Sequence, residues 1–112
     1  MFDEEYFEIS NILLDYNFNI SSVGFSYWVT AIIQYRRTYF IYNNTIEEVY
    51  NTVAEIHKTT RDRVERGMRT ARKTAENYIN EHFECKKKIT NKYLLNLLTH
   101  ETLILKGVNY GK

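Results

Sequence analysis

The chain contains no proline and only four glycines. Those residues punctuate turns, so a fold of many short strands and tight turns has little to turn with, and long uninterrupted helices remain. Cys85 is the single cysteine, which excludes an intrachain disulfide and fits a reducing compartment. Long apolar runs are missing too. The most apolar stretch, VGFSYWVTAIIQYRRTYFIY, is broken by Gln34, Arg36 and Arg37, whereas a membrane span needs about 20 mostly apolar residues. Met1 is followed by the acidic FDEEYFEIS, where a secretion signal would begin basic and continue apolar. A cytoplasmic chain without a membrane partner is expected.

Catalytic patterns are absent as well. There is no Ser-His-Asp order, no Gly-rich phosphate loop and no close carboxylate pair. His57, His82 and His100 are scattered. His82 and Cys85 fit one helix face, but a zinc site needs about four ligands. No metal, no cofactor and no enzyme activity are expected.

What is present is enough for one all-α domain spanning residues 1–112. At 44% hydrophobic residues the chain is not a disordered one, and 112 residues can enclose a single core. Apolar residues recur at helical offsets in several segments. Residues 4–17 carry Phe7, Ile9, Ile12, Leu13 and Tyr16. Residues 24–42 place Phe25, Trp28, Val29, Ile32, Tyr35, Arg36 and Tyr39 three and four apart, despite a strand-like content of aromatic and β-branched types. Residues 45–57 open with Thr45 and Glu48 in capping-box spacing, and Ile46, Val49, Tyr50, Val53 and Ile56 form their apolar face. A further helix is predicted from near Thr59, with Asp62 as a start signal, to about residue 80. The last carries Tyr93, Leu94, Leu97, Leu98, Glu101 and Leu105, with Gly107 as a stop. HFECKKKI between these two is the least regular part.

Net charge is +1, but it is distributed unevenly. Residues 1–50 hold seven acids and two bases (−5), and residues 51–112 hold seven acids and thirteen bases (+6). The concentration peaks in TTRDRVERGMRTARK, residues 59–73, with five arginines and one lysine. Advancing about 100° per residue brings Val64, Met68, Ala71 and Ala75 within about 60° of one another, a buried stripe. Arg66, Arg69 and Lys73 then fall opposite, flanked by Arg63 and Thr70, with Glu65 and Arg72 on the other flank. The short link KTT to the preceding helix makes a helix-turn-helix, whose second helix is the one that enters a major groove. Arginine presents a fork that matches guanine, and a glutamate accepts from cytosine. Glu65 would repel phosphate, so its place among arginines favours base reading over plain charge attraction. The competing reading is a solvated helix face on which Asp62–Arg66 and Glu65–Arg69 pair at i, i+4.

The segment IHKTTRDRVERGMRTARKTA resembles the recognition region of the master sporulation response regulator family of endospore-forming bacteria, in its C-terminal DNA-binding domain. ISNILLDYNF and GFSYW resemble that domain's first helix and the start of its second. TIEEVYNTVAEI resembles the first helix of its helix-turn-helix, and TNKYLLNLL its last helix. The similarity covers most of residues 9–99. It implies an all-α bundle of five to six helices with the helix-turn-helix at about residues 45–80, double-stranded DNA as partner, and a TGTCGAA-like box as target. It further implies a bacterial, nucleoid-associated transcription regulator of sporulation, with homodimeric or tandem binding on DNA and RNA polymerase as further partners. By the same resemblance Arg63, Glu65 and Arg66 stand at base-reading positions. Lys58, Thr59, Thr60, Arg61, Arg69, Thr70 and Lys73 are the candidates for phosphate or further base contacts. Met1 begins almost at this module, and no receiver domain is expected. Gly67 departs from the pattern at a cost of about 1 kcal/mol against alanine in a helix. Two other roles stay open: a plasmid or phage accessory or partition factor, and a protein-interaction antagonist of a full-length regulator.

Overall fold

A computed structural model of the chain describes residues 4–38, 45–83 and 88–105. Among them the fold is all-α, with five helices in chain order: α1 (Glu4–Asp15), α2 (Val23–Thr38), α3 (Ile46–His57), α4 (Arg61–Phe83) and α5 (Asn91–Leu105). Expectations placed on Tyr39, Cys85 and Gly107 lie outside the described residues, as do residues 84–87 of HFECKKKI.

Helix starts are set by hydroxyl side chains. Ser22 Oγ accepts from the Phe25 amide at 3.2 Å, and Thr90 Oγ1 from the Tyr93 amide at 3.1 Å. At α3 the capping box forms in full. Thr45 Oγ1 accepts from the Glu48 amide at 3.2 Å, and the Glu48 carboxylate accepts from the Thr45 amide at 2.9 Å. Each such cap is worth about 1 kcal/mol, because it satisfies amides the helix itself cannot.

α2 is the central helix and packs against all four others. That explains its sequence. Trp28, Val29, Ala31 and Ile32 are fully buried on different sides of the helix, so β-branched and aromatic side chains serve here as core volume. Around them gather Ile9 and Leu13 of α1, Val49 and Val53 of α3, Val64, Met68, Ala71, Ala75 and Ile79 of α4, and Leu94, Leu95 and Leu98 of α5. The Trp28 indole N–H donates to the Met68 carbonyl at 2.9 Å, fixing the position of α4 along α2.

Three apolar residues expected in the core are on the surface. Phe7 is 59% exposed, Ile56 49% and Tyr93 37%. Ile56 sits at the edge of the buried arc of α3, whereas Phe7 and Tyr93 project from the sides of α1 and α5 opposite their buried residues. Conversely, Leu95 is buried although the periodicity passed over it, because α5 is enclosed over a wider arc.

Candidate nucleic-acid interface

The geometry of the basic helix starts with the turn before it. Lys58 takes a left-handed conformation (φ 55°, ψ 48°). The Lys58 amide donates to the Glu55 carbonyl at 3.3 Å and the Thr59 amide to the Ala54 carbonyl at 2.9 Å, which closes α3 with a Schellman motif. Thr59 is thereby used at the end of α3. Thr60, not Thr59, caps α4: its Oγ1 accepts from the Arg63 amide at 3.2 Å. The turn is thus Lys58 to Thr60, and α4 begins one residue later than a cap at Thr59 would place it.

On α4 the predicted stripe is the buried one: Val64, Met68 and Ala75 are at 0% exposure and Ala71 at 1%. Arg63, Arg66, Arg69, Thr70 and Lys73 are exposed on the other side. From Arg63 to Lys73 this strip extends about 15 Å at 1.5 Å per residue. Arg63, Arg66 and Thr70 border a depression of about 340 Å³ shared with Ser22, Val23, Gly24 and Tyr27 at the start of α2. Among the described residues no carboxylate pairs with Arg63 or Arg66. Glu65 is partly sheltered, and its Oε2 lies 3.6 Å from Arg69 Nε. The expected Asp62–Arg66 pair does not form. Asp62 instead meets Arg61 at 3.1 Å, which leaves the Arg66 guanidinium available.

Arg61 braces the two helices of the motif. Its Nε and Nη2 donate to the Glu47 carboxylate at 2.8 and 2.5 Å, and its guanidinium lies 4.9 Å from the centre of the Tyr50 ring. This bidentate bond holds the Glu47 carboxyl below its ordinary range and the Arg61 guanidinium above its own.

Arg72 is the residue whose role the sequence did not disclose. It is 8% exposed, and its side chain turns away from solvent. Nε donates to Asn91 Oδ1 at 2.9 Å, and Nη1 donates to the Ile89 carbonyl at 2.9 Å and to Glu76 Oε2 at 2.5 Å. Asn91 Nδ2 in turn donates to the Tyr50 hydroxyl at 3.0 Å and approaches the Glu65 carbonyl at 3.4 Å. This buried network ties α3, α4 and the start of α5 together directly behind Glu65. Arg72 borders the apolar stripe on a helical wheel, which is the one signal the sequence offered.

The described part of the acidic amino-terminal segment is tied to α2. Glu5 of α1 is engaged by Arg36 at 3.3 Å and Arg37 at 3.2 Å, both on α2. Tyr16, just past the end of α1, meets Tyr78 of α4, with ring centres 5.8 Å apart. Tyr78 lies about 18 Å along α4 from Arg66.

No helix among the described residues is long and apolar enough to cross a membrane, and no group of His, Cys, Asp or Glu among them could hold a metal ion. A family model described as sporulation initiation factor Spo0A C terminal matches residues 9–102. No curated protein matches the chain.

Proposed function

The chain belongs to the Spo0A C-terminal family, the effector, DNA-binding domain of Spo0A-like regulators, and from that premise we propose that it binds double-stranded DNA sequence-specifically and regulates transcription. The first turns of α4 enter the major groove. Arg63 and Arg66 donate to guanine edges, and Glu65 accepts from cytosine, each good pair contributing about 1–3 kcal/mol of discrimination. Lys58, Thr59, Thr60, Arg69, Thr70 and Lys73 lie along the same surface, where phosphate contacts set register. Arg61 supports this surface by holding α3 to α4, while its Nη1 donates to Asp62.

The observation that carries the reading is the pairing state of the strip. Arg63 and Arg66 are exposed and meet no carboxylate among the described residues, and Glu5 of α1 is engaged by Arg36 and Arg37. Of the two pairings a solvated face would use, Glu65–Arg69 forms at 3.6 Å and Asp62–Arg66 does not, so Arg63 and Arg66 keep their donors free of carboxylates among the described residues. Binding to duplexes with and without a TGTCGAA-like box, over a range of salt, tests the proposal. Preference for the box at every salt concentration supports it, and equal affinity overturns base reading. Tandem occupancy belongs to the same proposal, and sedimentation on one-box and two-box duplexes reads its stoichiometry.

A further inference from the structure

Beside the base-reading end of α4 lies a second cleft, of about 420 Å³, lined by Arg69, Arg72, Lys73, Glu76, Asn80, Lys88 and Ile89. Four cations and one carboxylate face it. We propose that this cleft is a phosphate clamp, with Lys88 and Lys73 closing on a backbone phosphate of the duplex outside the groove that α4 reads. The proposal rests on the reading above, that Arg63 and Arg66 sit at base edges.

Two features of the cleft carry it. The first is that Lys88, although exposed, is not on a free tether. The next residue, Ile89, is buried to 3%, its carbonyl accepts from Arg72 Nη1 at 2.9 Å, and Asn91 beyond it accepts from Arg72 Nε at 2.9 Å. The chain is therefore pinned to α4 where Lys88 emerges, and Lys88 is held on the cleft wall across from Lys73. Glu76, the one acidic group on the lining, is already engaged by Arg72 Nη1. Its charge is thus offset within the protein, which leaves Lys73 and Lys88 without a competing anion among the described residues.

The second is the scale of the groove. A B-form major groove is about 8.5 Å deep and about 12 Å wide. Lys73 lies seven residues past Arg66 on the same face of α4, so about 10 Å along the axis. With Arg66 at the base edges, Lys73 and the cleft stand at the level of the sugar-phosphate chain. A built cationic wall there has a phosphate as its natural occupant, and a phosphate contact is read without sequence preference.

The test uses the full chain and compares Lys88→Ala with Lys92→Ala. Lys92 is an exposed lysine on α5 outside the cleft. Each neutralised phosphate contact contributes about 0.9 to the slope of log affinity against log salt. Lys88→Ala is expected to lower that slope by about this amount. The advantage of the unsubstituted protein over the variant then shrinks about three-fold between about 50 and about 200 mM salt, with the preference for boxed over scrambled duplex unchanged. Lys92→Ala is expected to leave the slope alone, and Lys88→Arg to restore it. A duplex carrying one neutral methylphosphonate at the contacted position should erase the difference between the unsubstituted protein and Lys88→Ala. An unchanged slope in Lys88→Ala, or the same change in Lys92→Ala, overturns the clamp. The base-reading proposal fails separately, by equal affinity for boxed and scrambled duplexes, and absence of any duplex affinity overturns both.

Discussion

Gly24 and Gly67 meet backbone to backbone where α2 crosses α4. A Cβ on Gly24 would lie 2.0 Å from the Gly67 carbonyl oxygen and 2.9 Å from the Ala71 Cβ. The close approach is what sets the start of α2 against the face of α4 that bears Arg63 and Arg66. Gly24→Ala must push the two helices apart, because the obstruction is backbone. A loss of about 3 kcal/mol or more is expected in chemical denaturation, at the upper end of overpacking costs. Gly67→Ala meets the Tyr27 ring at 2.9 Å. The gain of about 1 kcal/mol in helix propensity is therefore offset, and no net stabilisation is expected.

That contact also shows how much the sequence disclosed. Helical spacing located all five described helices, the capping box at Thr45 and Glu48, and the split of α4 into a buried stripe and a cationic strip, because these depend on residues a few positions apart. Gly67 was legible only as a local cost, since its reason, the Tyr27 ring, lies on another helix 40 positions away in the chain. The role of Arg72 stayed hidden for the same reason. Its burial depends on Asn91 and Ile89, which no local pattern joins to it. The base-reading trio came from resemblance to a family, and the structure adds which of the arginines are committed elsewhere.

Lys58 occupies a left-handed position that glycine would take with less strain. Lys58→Gly is expected to stabilise the fold by about 0.5–1 kcal/mol. It should at the same time weaken binding to all duplexes and lower the salt slope by about one contact. Thermal melts and binding isotherms on the same preparation separate the two effects. Gain of stability without loss of affinity would remove Lys58 from the interface.

His57 accepts or donates one hydrogen bond with Thr30 at 2.7 Å and packs edge-on against Tyr27 at 5.0 Å. Burial lowers its pKa below the ordinary value of 6.5. The folded state therefore binds fewer protons than the unfolded state just below that pH. The His57 contribution is complete above about pH 6.5 and is lost as pH falls toward the lowered value. The melting temperature is expected to fall between about pH 7 and about pH 5.5, and to fall less in His57→Gln. Parallel pH profiles for the two proteins would discount the histidine.

Asn91 satisfies Arg72, Tyr50 and the Glu65 carbonyl together. Asn91→Leu strands the Arg72 Nε–H in a buried site, and a loss of about 2–3 kcal/mol is expected. Tyr50→Phe removes one partner only and should cost about 1 kcal/mol. The double variant is expected to lose less than the sum, because the residues share one network. Strict additivity in urea denaturation would show that they act independently.

The most direct measurement is the ratio of affinities for a boxed and a scrambled duplex, taken for the unsubstituted protein, Arg66→Ala and Lys73→Ala at one salt concentration. If α4 reads bases through Arg66, the unsubstituted protein prefers the box, Arg66→Ala loses about 1–3 kcal/mol of that preference, and Lys73→Ala weakens both duplexes while keeping the ratio. If the strip is no more than a cationic surface, all three proteins give a ratio near one, and Arg66→Ala and Lys73→Ala weaken binding to the same extent.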